Sequence, residues 1–240
     1  MQTVIIDSHN EILLYWIREY CRHKMPLVVV RIDRHHDMFS DCPRLPAKEG
    51  RNIFDYFDRM MPTICEYARR RLNEGNFTCP AFHYGILGSL YHFDPRKEKI
   101  DAYGRVFGEE FLDAPKTRIR SLVPAPQSIG IRAFEGDLEE SSFPVVIGFD
   151  LDGLCTTDER ELAKRAIEKR LKRVKSLLEC ISSPVLACIA RSQTPRAYVP
   201  ADMVDELQEA ALCLMERKCQ AHYALPIATT GSIREAFQAG

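Results

Sequence analysis

The chain has no Cys-x-x-Cys pair, no surplus of basic charge and no apolar run near the ~20 residues that a membrane-crossing helix requires. Each absence removes a class of function. Without paired thiols, the nine cysteines form neither a zinc ribbon nor a disulfide framework, and they are expected to be reduced thiols of a cytoplasmic protein. No basic-then-apolar leader opens the chain, because Asp7, His9 and Glu11 interrupt Met1 to Leu14. With 33 basic against 34 acidic side chains the balance argues against a clustered basic face of the kind that gains counterion-release energy from nucleic acid or an anionic membrane. Phosphate-binding glycine loops, His-Glu-x-x-His and the Gly-x-Ser-x-Gly elbow are also missing, so nucleotide-fold, zincin and serine-hydrolase chemistries lack their residues.

What is present is the alternation expected of an α/β protein. Short β-branched runs at Thr3–Ile6, Leu27–Ile32, Val145–Phe149 and Val185–Ala190 have the unbroken apolar character of parallel strands buried on both faces. Between and after them, helical periodicity spans Asn10–Arg22, Ile53–Leu72, Asp158–Cys180 and Ala201–Lys218. Thr156 and Glu159 stand at capping-box spacing before the third of these. Its lysines and arginines read as a solvated helix face. The stretch from Phe93 to Phe143 is the least regular, either loops around a site or a small insertion. With no repeat or linker, residues 1–240 are expected to form one domain, a mainly parallel central sheet between two helical layers.

Chemistry-bearing residues gather where these strands end. Leu27–Ile32 runs into Asp33-Arg34-His35-His36-Asp37, Val145–Phe149 into Asp150-Leu151-Asp152, and the first strand into Asp7-Ser8-His9. Ligands of open α/β sheets bind outside the carboxyl ends of the strands. In extended chain, alternate residues point the same way, so Asp33, His35 and Asp37 can face one ion, as can Asp150 and Asp152. With His9 this makes four carboxylates and two imidazoles, too many for one metal. Crowded carboxylates raise one another's pKa, and two divalent cations relieve that repulsion. The oxygen-rich donor set without thiolates suits Mn²⁺ better than structural zinc. An isolated strand-end Asp is commonly a turn or cap residue and an isolated His commonly structural; three strands delivering compatible ligands to one edge argue otherwise.

These motifs resemble those of the arginase–deacetylase, or ureohydrolase, superfamily. Asp33-Arg34-His35-His36-Asp37 is similar to its Asp-x-His-x-Asp signature, Asp150-Leu151-Asp152-Gly153-Leu154 to its Asp-x-Asp-Gly-Leu motif, and Asp7-Ser8-His9 to the Asp-His before its first site helix. The resemblance implies a three-layer α/β/α arginase-like fold and two Mn²⁺ ions. One would be held by His9, Asp33, Asp37 and Asp150 and the other by Asp33, His35, Asp150 and Asp152, with a bridging hydroxide attacking a guanidinium carbon to release urea. His9 and Asp37 set the chain apart from the single-zinc deacetylase branch, which stays the alternative along with ureohydrolases of small guanidines. A peptide-binding module that kept the fold is the non-enzymatic alternative, and a two-metal phosphoesterase is a further one.

Ser8-His9-Asn10-Glu11, Arg34, His36 and Ile189-Ala190-Arg191-Ser192 resemble the peptide arginases, which convert arginine within ribosomally made peptides to ornithine. The implied partner is a peptide, and a homo-oligomer is compatible with the superfamily. Free arginases carry a substrate-facing glutamate after the strand that here ends at Ala190; Arg191-Ser192-Gln193-Thr194 has none. The guanidinium-binding carboxylate is therefore expected from Glu11 or Glu135–Glu140. Arg191, Ser192 and Arg34 are candidates to position the peptide, His83 and then His36 to carry a proton to the leaving amine, and Asp37 to take part in catalysis.

Overall fold

The computed structural model describes residues 1–37, 53–104 and 126–220. It is α/β, with a seven-stranded, mostly parallel sheet between two layers of helices. The strands are β1 (Gln2–Ile6), β2 (Leu27–Ile32), β3 (Leu87–Phe93), β4 (Ile100–Tyr103), β5 (Gln127–Ile129), β6 (Val145–Asp150) and β7 (Leu186–Ala190). The helices are α1 (Ile12–His23), α2 (Ile53–Arg71), α3 (Thr78–His83), α4 (Ile131–Glu140), α5 (Ala163–Glu179) and α6 (Val204–Gln220). The sheet order is β1-β7-β6-β2-β3-β4-β5, antiparallel only at the β3–β4 and β4–β5 pairs.

The alternation of side chains along β2 explains the two cores. Val28, Val30 and Ile32 pack with Phe134 of α4, Leu171 and Val174 of α5 and Leu207 of α6. Leu27 and Val29 pack with Trp16 of α1, Phe57 of α2 and Phe82 of α3. Helices therefore cover both faces, and β2, β3 and β7 are buried throughout. Helix α1 stops where Lys24 turns left-handed (φ 55°), its N–H donating to the Tyr20 carbonyl at 2.8 Å, with Pro26 two residues beyond.

All four apolar runs are strands within a residue of their expected ends. Three strands were not anticipated. β3 contains Gly88, Ser89 and His92 yet is buried along its whole length, and the short β4 and β5 occupy part of the irregular stretch, with α4 following. The Thr156–Glu159 spacing does mark a helical start, but of a 3-10 segment, Thr157–Leu162, with α5 beginning only at Ala163. The Thr156 hydroxyl donates to the carboxylates of Asp158 (2.5 Å) and Glu159 (3.0 Å), so the side-chain half of a capping box is not formed.

Between β6 and β2 the chain's crossovers part: β2 leads to β3 on one side and β6 to β7 on the other. A crevice forms beyond the strand ends at such a point. Asp33 and Asp150 leave the sheet on either side of it. Among the described residues no helix is long and apolar enough to cross a membrane. Among the described residues Cys21, Cys65, Cys79, Cys155, Cys180, Cys188 and Cys213 form no disulfide. Cys42 and the tail from Ala228 to Gly240 lie outside the described residues.

Candidate metal centre

The ends of β1, β2 and β6 bring His9, Asp33, His35, Asp37, Asp150 and Asp152 together. His9 sits in the 3-10 turn His9–Glu11 that opens α1. Its Nε2 lies 2.9 Å from the Glu74 carbonyl and its Nδ1 faces Asp150, so the protonated ring donates to both, and on losing the Nδ1 proton it keeps the Nε2–H tautomer that frees Nδ1 to ligate. A metal-ligating histidine is held in the same way, its second nitrogen fixed by a carbonyl. Asp37 Oδ2 is 3.4 Å from His9 Nε2. His35 Nδ1 lies 2.8 Å from Asp152 Oδ2, and the His35 N–H donates to Asp33 Oδ1 at 2.6 Å. Donor atoms of His9, Asp33 and Asp37, and those of Asp33, His35 and Asp152, fall within 4.8 Å of one another, Asp33 being common to both groups.

Local backbone chemistry holds this geometry. The Asp152 N–H donates to Asp150 Oδ1 at 3.1 Å, so Asp150 caps the turn that presents Asp152. Arg96 clasps the same turn from outside, donating to the Asp152 carbonyl at 3.0 Å while pairing with Glu159 at 3.0 Å. Arg170 donates to the Leu154 carbonyl at 2.7 Å and to Glu159 at 2.9 Å. Asp37 and Ser192 adopt left-handed backbone, φ 49° and 54°, conformations costly for non-glycine residues that concentrate at functional sites.

The four carboxylates are almost fully buried, and among the described residues Arg31 is the one guanidinium buried with them. Its register neighbour on β6 is Gly148, where a Cβ would meet the Arg31 stem at an ordinary 3.5 Å but Ile12 Cδ1 at a tight 3.1 Å, so the glycine makes room for Ile12 of α1. Arg31 reaches Asp33 and, at 2.5 Å, Asp37, with Phe77 below it, ring centroid 4.9 Å away. Burial disfavours the Arg31 charge, but Asp33 and Asp37 outweigh it and keep the group protonated. Burial also drives Asp33 well above the carboxylate range, Arg31 opposing this and Asp152, Asp37 and Asp150 adding to it. Asp152 is raised by burial and by Asp150. For Asp150, burial is overcome by His9 and by hydrogen bonds from Ser192 and the Asp152 N–H, which hold it low. His9 rises to about 9: burial lowers it, and Asp150 and Asp37 more than reverse that. Asp33 and Asp152 are pushed toward the neutral form first by burial and then by the neighbouring carboxylates, the electrostatics that divalent cations fit.

Beyond the cluster opens a cleft of about 600 Å³, lined by His9, Arg34, His35, His36, Asp37, Asn73, Glu74, Gly75 and Tyr198. Of the residues expected to bind substrate, only Arg34 lines it, its guanidinium held by Asp158 (2.9 Å) and the Thr156 hydroxyl (2.6 Å). Ser192 is buried behind the cluster, its hydroxyl shared between both Asp150 oxygens at 2.6 and 2.7 Å, where it orients that candidate ligand. Arg191 pairs with Asp205 at 2.8 Å, away from the cleft lining, and Glu11 is exposed and outside that lining too. Glu135–Glu140 belongs to α4, on the opposite face of the sheet from α1–α3. His36 lines the cleft with its Nδ1 2.5 Å from the Tyr103 hydroxyl, while His83 closes α3 and its side chain lies outside the described ones.

Besides Asp37, the cleft is lined by the carboxylate of Glu74, on the turn between α2 and α3, accepting from the Tyr198 hydroxyl at 3.2 Å. The Asn-Glu-Gly-Asn run at 73–76 signals a turn, but nothing in it points at the strand ends. Arg31 had a clearer signal, a lone charge inside a buried apolar strand. No protein-family model matches the chain, and no curated protein matches its sequence.

Proposed function

We propose that the chain is a binuclear manganese hydrolase that converts arginine side chains within a peptide to ornithine and urea. The observation that carries this reading is the convergence of His9, Asp33, His35, Asp37, Asp150 and Asp152 at the floor of an open cleft. His9, Asp33, Asp37 and Asp150 would hold one ion and Asp33, His35, Asp150 and Asp152 the other, as the motif resemblance implies. When bound, the ions supply Lewis-acid activation of the water that attacks the guanidinium carbon.

The remaining residues bind and orient. Glu74 offers the guanidinium a carboxylate at the cleft wall, a match for its planar donors. Tyr198 donates its hydroxyl to that carboxylate and so fixes its direction. The backbone carbonyl of Glu74 holds His9 in the tautomer a ligand needs, which couples the substrate wall to the metal floor through one residue. A peptide, instead of free arginine, is favoured by the resemblance to peptide arginases and by the half-exposed Arg34 and His35 at the cleft mouth.

The test is urea release from an arginine-containing peptide and from free arginine, with and without Mn²⁺. Manganese-dependent urea from the peptide alone is the expected result. Equal release from both substrates would point to a small-guanidine ureohydrolase, acetate from acetyl-lysine peptides to the deacetylase branch, and no turnover of any of these would contradict the reading.

A further inference from the structure

A row of register partners runs across the sheet on the face covered by α1–α3. Gly148 of β6 lies opposite Arg31 of β2, Arg31 opposite His92 of β3, His92 opposite Asp101 of β4, and Asp101 opposite Ser128 of β5. Cross-strand partners have their Cβ atoms about 5 Å apart. The fold itself thus sets His92 beside Asp101. The loop after β2 then lays His36 over the pair: its ring stacks on His92 with centroids 3.9 Å apart and planes at 28°, and its Nε2 is 3.5 Å from Asp101 Oδ2.

His92 is 1% exposed, and its Nε2 has no hydrogen-bond partner. A buried polar atom left without a partner costs about 1–3 kcal/mol, and such atoms are rare. The ring is engaged elsewhere by the His35 backbone. That leaves a fixed imidazole with a bare nitrogen, the condition of a histidine prepared to ligate. The other two groups have outer partners as well: Tyr103 hydroxyl holds His36 Nδ1 at 2.5 Å, and the Ser128 hydroxyl donates to Asp101 Oδ1 at 2.5 Å, which leaves Oδ2 facing His36.

We propose that His36, His92 and Asp101 form a second metal site, distinct from the carboxylate cluster, that takes a late first-row divalent cation such as Zn²⁺. Their donor atoms lie within 4.8 Å of one another. Ligands of one tetrahedral zinc, at bond lengths of about 2.0–2.2 Å, stand about 3.3–3.6 Å apart, the spacing His36 Nε2 and Asp101 Oδ2 already have at 3.5 Å, so a closing of side chains by at most ~1.5 Å is enough. Two imidazoles and one carboxylate favour zinc, whereas the oxygen-rich cluster suits manganese. His36 and Asp101 are partly exposed, which leaves an entry path and a fourth position for water. The ion would tie β3 and β4 to the loop that carries His35 and Asp37, and with its Nε2 so engaged His36 does not carry protons for the leaving amine.

The experiment is zinc uptake by the full chain already saturated with Mn²⁺, read by elemental analysis after dialysis and located by anomalous diffraction at the zinc edge. The expected result is one zinc per chain, with its peak between His36, His92 and Asp101. His92→Ala and Asp101→Asn are each expected to weaken that zinc by at least about 100-fold while leaving manganese uptake unchanged. If His92→Ala fails to fold, Asp101→Asn, which alters one atom of a partly exposed side chain, decides. No zinc beyond the manganese, a zinc peak only among Asp33, His35 and Asp152, or full zinc affinity in Asp101→Asn overturns the proposal. Failure of urea release does not bear on it, since the readout is the metal and its position.

Discussion

The Arg31 guanidinium lies 2.5 Å from the Asp37 carboxylate, and the two residues are joined from opposite ends of a seven-residue segment that leaves the sheet and turns back. Asp33, between them, accepts from the same nitrogen. A fixed cation therefore gathers two proposed metal ligands, and it shares them with any ion that binds.

Removing that cation has a sign that depends on metal. Breaking a buried ion pair by deleting one partner typically costs about 3–5 kcal/mol, because the other charge is left uncompensated. Arg31→Met is expected to lose stability of that order in urea unfolding with a chelator present, and to recover most of it in saturating Mn²⁺, with tighter manganese binding than the unaltered protein. The same loss in both conditions would mean that Arg31 and the metal do not share the carboxylates.

Glu74 separates substrate binding from metal binding. Deleting one partner of a hydrogen-bonded charge pair costs about 2 kcal/mol or more, near 30-fold in kcat/KM. Glu74→Ala is expected to lower peptide urea release at least that much with manganese content intact, and Tyr198→Phe by only about 5-fold, the value of one hydrogen bond. Unchanged kinetics in Glu74→Ala would remove it from guanidinium recognition.

Ser192 acts through Asp150. With its hydroxyl on both carboxylate oxygens, Ser192→Ala is expected to weaken manganese binding by about 10–100-fold, measured by competition against a chromogenic chelator. Peptide KM at saturating manganese is expected to stay the same; a KM effect alone would instead place Ser192 at the substrate.

Acid stability reports on the clasp around Asp152. Burial raises the Glu159 carboxyl, but hydrogen bonds from Arg96 and Arg170 overcome this and hold it at about 2, against 4.5 for an ordinary glutamate. A lowered folded pKa adds stability above the unfolded value, and that stability disappears as pH falls through the folded one. The advantage of the unaltered protein over Glu159→Gln in urea unfolding is therefore expected to be full above pH 4.5 and to vanish on approach to pH 2. A difference that does not change across this window would show that the charge of Glu159 contributes nothing.

The parts legible in the sequence are those in which composition and position coincide. β2, β6 and β7 are apolar because both their faces are covered, β1 is apolar though an edge strand with Ile5 exposed, and His9, Asp33, His35, Asp37, Asp150 and Asp152 stand out because three of these strands end in ligand residue types. β3 lacks the unbroken apolar run because a strand beside an antiparallel edge tolerates Gly88, Ser89 and His92 while remaining buried. Glu74 and Tyr198, far apart in the chain, meet only when the α2–α3 turn and the loop after β7 fold over the strand ends. His92 and Asp101 become neighbours through strand register, which no local pattern encodes. Ser192 was expected at the substrate because it follows a strand end; its left-handed backbone turns it inward to Asp150 instead.

The most direct test of the account is a count of manganese ions in the carboxylate cluster, by anomalous diffraction at the manganese edge with elemental analysis of the same protein. The account predicts two ions per chain sharing Asp33 and Asp150, and loss of occupancy at both positions in Asp150→Asn. No manganese in the cluster of the unaltered protein, or two ions undiminished in Asp150→Asn, would contradict it.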